Sequence, residues 1–167
     1  MAGVVSNSSP LILLSFINRL DVLEGLFQAI HITPQVHDEV VVRGQGRPGS
    51  SEVSNASFIL VKKVSDPLLI PRITENFRLG SGESSAIALA REMSANLVLL
   101  DDRQARIAAQ KLGLTVSGTV RILEMAHEKS FIPNLRNAYL DLVHTPARIS
   151  PKVLNASLSR YGFTPLD

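Results

Sequence analysis

Four short segments of this 167-residue chain carry side-chain oxygens at places where a fold could gather them. Asn7 ends the short apolar run Gly3-Val4-Val5-Ser6, and Glu39 follows a second apolar run, Ala29 to Ile32. Glu83 comes directly after Gly80-Ser81-Gly82, and Asp101-Asp102 closes Leu97-Val98-Leu99-Leu100. Carboxylates and an amide are hard ligands that suit Mg²⁺ or Mn²⁺, ions able to activate a water and to stabilise the leaving oxygen of a phosphodiester. The chain has no cysteine, and His31, His37, His127 and His144 show no metal-ligand spacing, so a zinc site is not expected. Each acidic residue also has an ordinary reading. Asp102 can cap the helix that starts at Arg103, Glu83 can complement a helix dipole, and Glu39 can be an exposed helical carboxylate. Asn7, Ser8 and Ser9 are common turn and cap residues.

The charge is unevenly divided. Residues 1–102 hold 8 Lys and Arg against 11 Asp and Glu, whereas residues 103–167 hold 9 against 4. An acidic part that collects cations beside a basic part that attracts phosphates suits an enzyme acting on a phosphate polymer. Arg103 and Arg106, just after the acidic pair, are candidates for touching substrate phosphates. The apolar run Leu11 to Leu14 is too short to span a bilayer and no basic segment precedes it, so a soluble, cytoplasmic protein without a membrane partner is expected.

The elements that must position these residues follow from local pattern. Strands are expected at Val4–Ser6, Ala29–Ile32, Phe58–Val64, Leu97–Leu100 and Thr115–Ser117. Ser9-Pro10 and Thr33-Pro34 each read as a helix start, because proline suits the first turn. The second of these helices is expected to run to about Arg43 and to stop at Gly44–Gly49. Further helices are expected from Asp21, after Pro67 to near Phe77, from Glu83 to Met93, and over 103–112 and 119–128. Two more are expected from Asn134 and from Pro151. Alternating strands and helices predict an α/β three-layer sandwich around a mostly parallel central sheet. With 45% hydrophobic residues and no shift of composition, the expectation is a single domain over 1–167 with a helical C-terminal extension from about 130.

Competing motifs are poor. Gly44-Gln45-Gly46 lacks the preceding strand and later glycine of a dinucleotide loop, and there is no Gly-Lys-Ser/Thr phosphate loop. A phospho-acceptor receiver domain would need an acidic pair after the first strand and an aspartate after the third; the third ends in Val64-Ser65, with Asp66 before a proline.

The segments Val4–Ile12, Val36–Val40, Leu79–Ala90 and Leu97–Arg106, continued by Leu112–Leu114 and Gly118-Thr119, together resemble the PIN-domain superfamily. The likeness is nearest to its PIN-like branch of predicted toxin-type nucleases. It implies metal-dependent endonucleolytic cleavage of single-stranded or structured RNA, with carboxylates at the positions of Asn7, Glu39, Glu83 and Asp101 or Asp102 and with Ser8 or Ser9 orienting the water. It further implies Asn7, Glu83, Asp101 and Asp102 as ligands to Mg²⁺ or Mn²⁺. A homodimer and a small antitoxin partner are also implied, and apolar pairs such as Phe16-Ile17 and Leu26-Phe27 add a motive for the dimer. One position departs from the pattern: Asn7 stands where the family has aspartate. An amide offers one neutral oxygen, so cation binding is weakened and the chain is expected to be an impaired nuclease, active once Asn7→Asp supplies the missing charge. The alternative is a non-catalytic PIN-like module that binds RNA or protein.

Overall fold

The computed structural model describes residues 3–167. Two or three residues per strand suffice where the sheet is covered on both faces. β1 (Val4–Ser6), β2 (Ile30–Ile32), β3 (Ile59–Val61), β4 (Leu97–Leu99) and β5 (Val116–Ser117) form one sheet in the order β3-β2-β1-β4-β5. Every pairing is parallel, with Val5 opposite His31 on one side and opposite Val98 on the other. The chain therefore lays strands outward from β1 to β3 and then returns to lay β4 and β5 on the opposite side of β1. The reversal falls between β1 and β4, and at such a point the loops leaving the two carboxyl ends diverge and open a crevice.

Among the described residues, ten helices surround the sheet: α1 (Ser8–Phe16), α2 (Asp21–Phe27), α3 (Pro34–His37), α4 (Ser50–Asn55), α5 (Leu69–Phe77), α6 (Ser81–Glu92), α7 (Arg103–Lys111), α8 (Thr119–Glu128), α9 (Leu135–Val143) and α10 (Pro151–Arg160). Alternation along the strands sorts them into two layers. Leu99, Ile30 and Ile32 face an apolar layer built with α1, α2, α8, α9 and α10. Val5, Val98 and Leu100 face a second layer built with α5, α6 and α7. This is the expected α/β three-layer arrangement, and the last two helices join the same apolar layer as the first.

The structure departs from the sequence reading at four places. The third strand is shorter than Phe58–Val64 because β3 lies at the sheet edge, where Leu60 and Val61 stay exposed and pair on one side only. The helix from Thr33 starts as expected, with Thr33 Oγ1 accepting the Val36 N–H at 3.2 Å. It then widens into a π-helical turn over Asp38–Val42, where Arg43 N donates to Asp38 O at 2.8 Å. Helix α4 follows the glycine loop and has no counterpart in the sequence reading; Glu52 anchors its start by accepting the Gly49 N–H at 2.8 Å. Helix α6 begins at Ser81, before Glu83. The apolar pairs that motivated a dimer are largely absorbed internally: Ile17 is buried and Leu26 and Phe27 pack on the core, which leaves Phe16 exposed. Among the described residues no helix is long and apolar enough to cross a membrane.

Candidate active site

Asn7 is the first residue beyond β1, and its backbone N–H still donates to Leu99 O at 3.0 Å, which ties it to the end of β4. It serves as N-cap of α1 by position, yet its side chain makes no capping bond. The residue is 6% exposed, and its Oδ1 is a buried acceptor without a partner among the described residues. An unpaired buried acceptor costs roughly 1–3 kcal/mol, which a water, a donor or a cation in the crevice would offset.

Two adjoining cavities meet over Asn7. The larger, of about 670 Å³, is lined by Ser9, Glu83, Asp101, Asp102 and Arg106 as well as Asn7. The smaller, of about 470 Å³, is lined by Ser8, Glu39, Gly82 and Glu83 beside the same Asn7. The sequence-predicted acidic residues are thus brought to one crevice at the carboxyl edge of the sheet, with Asn7, Ser9 and Glu83 common to both halves. Arg103 lines neither cavity and makes no ion pair among the described residues, whereas Arg106, one turn further into α7, reaches the groove.

The carboxylates differ in how much of their capacity the protein already uses. Asp101 is fully engaged. Its Oδ1 accepts the Thr119 backbone N–H at 2.7 Å, and its Oδ2 accepts the Thr119 hydroxyl at 2.7 Å and the Ser9 hydroxyl at 3.1 Å. It caps α8 from outside, where the N-cap itself is Gly118 and has no side chain; a Cβ there would lie 2.9 Å from Asp101 Oδ1. Asp102 caps α7 through Oδ1, which accepts the Ala105 N–H at 2.9 Å, and its second oxygen is unused among the described residues. Glu39 accepts the Ser8 hydroxyl and lies 3.8 Å from Arg43. Its carboxylate occupies the space a side chain at position 82 would need, since a Cβ on Gly82 would come within 2.5 Å of Oε1.

Glu83 sits between the two halves. It accepts the Gly80 N–H at 3.3 Å, the one half of a capping box that a glycine N-cap allows. Burial pushes its carboxyl above the usual range against that hydrogen bond, and the Asp102 and Glu39 carboxylates push it the same way. Like charges therefore crowd around a group that has no cationic partner among the described residues. No three Asp, Glu or His side chains among those residues stand close enough to cage an ion unaided. Asp101 and Glu39 are held back by hydroxyls, and Asn7 supplies an oxygen without charge.

A family model described as a PIN domain matches residues 3–162. The chain belongs to the PIN-domain family. That is a nuclease-type fold generally dependent on a divalent cation, and the match spans every segment on which the sequence likeness rested. No curated protein matches the chain.

The far wall of this PIN domain's larger cavity has no counterpart in the sequence reading. It carries Arg121, Glu124, Arg148 and Arg160, from α8, the segment before α10 and α10 itself. Glu124 is 4% exposed and accepts from Ser157 Oγ at 2.6 Å, from Arg121 Nη1 at 3.1 Å and from Arg160. Burial raises its carboxyl, but these three donors outweigh burial and hold it below the usual range. The basic excess of residues 103–167 was the available signal; which of those residues face the groove depends on how α8 and α10 pack.

Proposed function

We propose that this PIN domain is a Mg²⁺- or Mn²⁺-dependent endoribonuclease, weakened in the present chain by Asn7. The observation that carries the reading is the buried, partnerless Oδ1 of Asn7 at the junction of the two cavities, beside a Glu83 carboxyl crowded by like charge. An oxygen without a donor and carboxylates without a countercharge together fit a hard divalent cation. Asn7, Glu83 and the unused oxygen of Asp102 would hold it, with Glu39 at the edge. Such an ion lowers the pKa of a water and stabilises the leaving oxygen of a phosphodiester. Asp101 contributes as framework, fixing Ser9 and the start of α8, and is the less available of the two aspartates as a ligand. Ser9 is then positioned to orient the attacking water, Ser8 is committed to Glu39, and Arg106 faces the strand's phosphates.

Asn7 weakens this site because a neutral amide lowers the charge count on which divalent-ion affinity depends. A role as toxin in the cytoplasm, a small antitoxin as inhibitory partner and a homodimer rest on the family resemblance. The test is Asn7→Asp. With labelled single-stranded RNA and Mn²⁺, the variant is expected to cut roughly a hundred to a thousand times faster than the present chain, the scale of one electrostatic catalytic group. Adding Asp102→Asn or a chelator is expected to remove the gain. A variant that binds Mn²⁺ yet cleaves no RNA would support the second reading, a non-catalytic RNA- or protein-binding module, which Asn7 itself favours.

A further inference from the structure

The part of the cavity lined by α8, α10 and the segment before α10 has its own charge arithmetic. Arg121 is shared between Glu124, Glu128 at 2.9 Å and the Tyr161 hydroxyl at 3.3 Å, and Arg160 is held by Glu124. Two carboxylates there answer two guanidiniums. Arg106 and Arg148 line the same cavity, both are exposed, and neither side chain makes an ion pair or hydrogen bond among the described residues. They are the groove's two guanidiniums without a bonded carboxylate among the described residues. None of the described residues lining it is aromatic, so the cavity offers no platform on which a base could stack. Much of the remaining lining is aliphatic, including Leu13, Val120 and Ile149.

We infer that Arg106, on the acidic side of the cavity, and Arg148, with Arg160 held by Glu124 in the same lining, form a phosphate-binding surface that grips a single nucleic-acid strand by its backbone and without reading its bases. The inference deepens the proposed function and rests on it for the direction of the strand past Asn7 and Glu83. The chemistry supports it directly. Guanidiniums with free forks match phosphate oxygens in pairs. Arg160 is pre-organised by a carboxylate that is itself buried and fully bonded. A groove whose lining has no aromatic side chain and a single amide, Asn7, has little with which to distinguish one base from another.

The experiment uses the full chain with a chelator, so that no cleavage intervenes. Binding of short labelled RNA strands of two unrelated sequences, and of DNA strands of the same sequences, is followed by fluorescence anisotropy across a range of salt. Removing one phosphate-binding arginine should flatten the slope of log K against log salt by about 0.7 for a single strand. Arg106→Gln and Arg148→Gln are each expected to do this equally on both sequences and on RNA and DNA. Arg72→Gln, an exposed arginine that lines neither cavity, is the control and should leave the slope unchanged. Unchanged slopes in both groove variants, with circular dichroism showing them folded, overturn the proposal, as does an effect confined to one sequence. Failure of the nuclease reading is separate: it shows as an Asn7→Asp chain that does not cut while the slope changes persist.

Discussion

Glu83 and Glu124 line the same cavity, the first half-buried and the second buried, and their carboxyls are displaced in opposite directions. Burial alone pushes both upward. At Glu124 the protein supplies two arginines and a serine, and the donors win. At Glu83 it supplies one long backbone hydrogen bond and two more carboxylates, and burial wins. A carboxylate whose countercharge is built in is framework, whereas one held out of water among its own kind has a cost that stability does not explain. Positions of the second sort cluster where chemistry is done. The α8–α10 part of the groove is thus electrostatically complete apart from the free Arg148, and the part around Asn7 and Glu83 holds like charges close together.

The largest effect that could break this contrast is on activity. In an Asn7→Asp background, Glu83→Gln is expected to lower the cleavage rate roughly a hundred- to a thousandfold, since it removes a ligand charge that acts mainly in the transition state. Glu124→Gln in the same background is expected to cost far less, and chiefly through substrate affinity, because Glu124 acts on the strand through the arginines it holds, Arg121 and Arg160. Single-turnover cleavage of labelled RNA in Mn²⁺ separates the two. Equal losses would mean that pairing does not distinguish the walls.

Stability should invert the order. Removing the charge of Glu124 weakens the acceptor that Arg160 and Ser157 share and is expected to cost about 1.5–3 kcal/mol, the range for hydrogen bonds to a charged group. For a chain of this size that is a fall in Tm of roughly 3–12 °C. Glu83→Gln keeps an oxygen for the Gly80 N–H, so that hydrogen bond survives, while one of three crowded charges is removed. Its Tm is expected to hold or rise. Thermal melts of both variants without metal check this, and a Glu83→Gln protein as damaged as Glu124→Gln would sink the argument.

The unequal legibility of the two walls in the sequence has a physical cause. Asn7, Glu83 and Asp102 lie at strand ends and helix starts, positions that local pattern fixes within a residue or two, and the parallel sheet then forces them to one edge. Even Asp102's double role as N-cap was readable, because the cap and the site use the same short turn. The order of strands was not readable, nor was the reversal beside β1 that opens the crevice. Glu39 was placed on the right helix, but the π-helical turn that sets its direction has no local signature in Asp38–Val42. The second wall was hidden for a different reason. Arg121 and Glu124 are ordinary residues of an amphipathic helix until α10, 33 to 36 positions after Glu124, brings Ser157 and Arg160 against them. Pairings at that separation are set by packing and leave no spacing to read.

The smallest effect, and the sharpest in sign, is the pH dependence of the metal-free protein. Glu83 has a folded pKa raised above its ordinary 4.5, so folding favours its protonated form. Its contribution is fully present below 4.5 and is lost as pH rises through the folded value. Glutamine mimics the protonated carboxyl at every pH. Glu83→Gln is therefore expected to be the more stable protein near neutrality, and its advantage should vanish as the pH falls below 4.5. Glu124 runs the other way. Its folded pKa is lowered, so its contribution is present above 4.5 and is lost as pH falls through the folded value. The deficit of Glu124→Gln should accordingly persist at neutrality and shrink only at more acid pH. Chemical denaturation of the parent chain and both variants from neutral to acid pH reads the two differences directly. If they change in the same direction, then the groove does not hold one carboxylate paired and another waiting, and the case for a cation at Asn7 loses its electrostatic support.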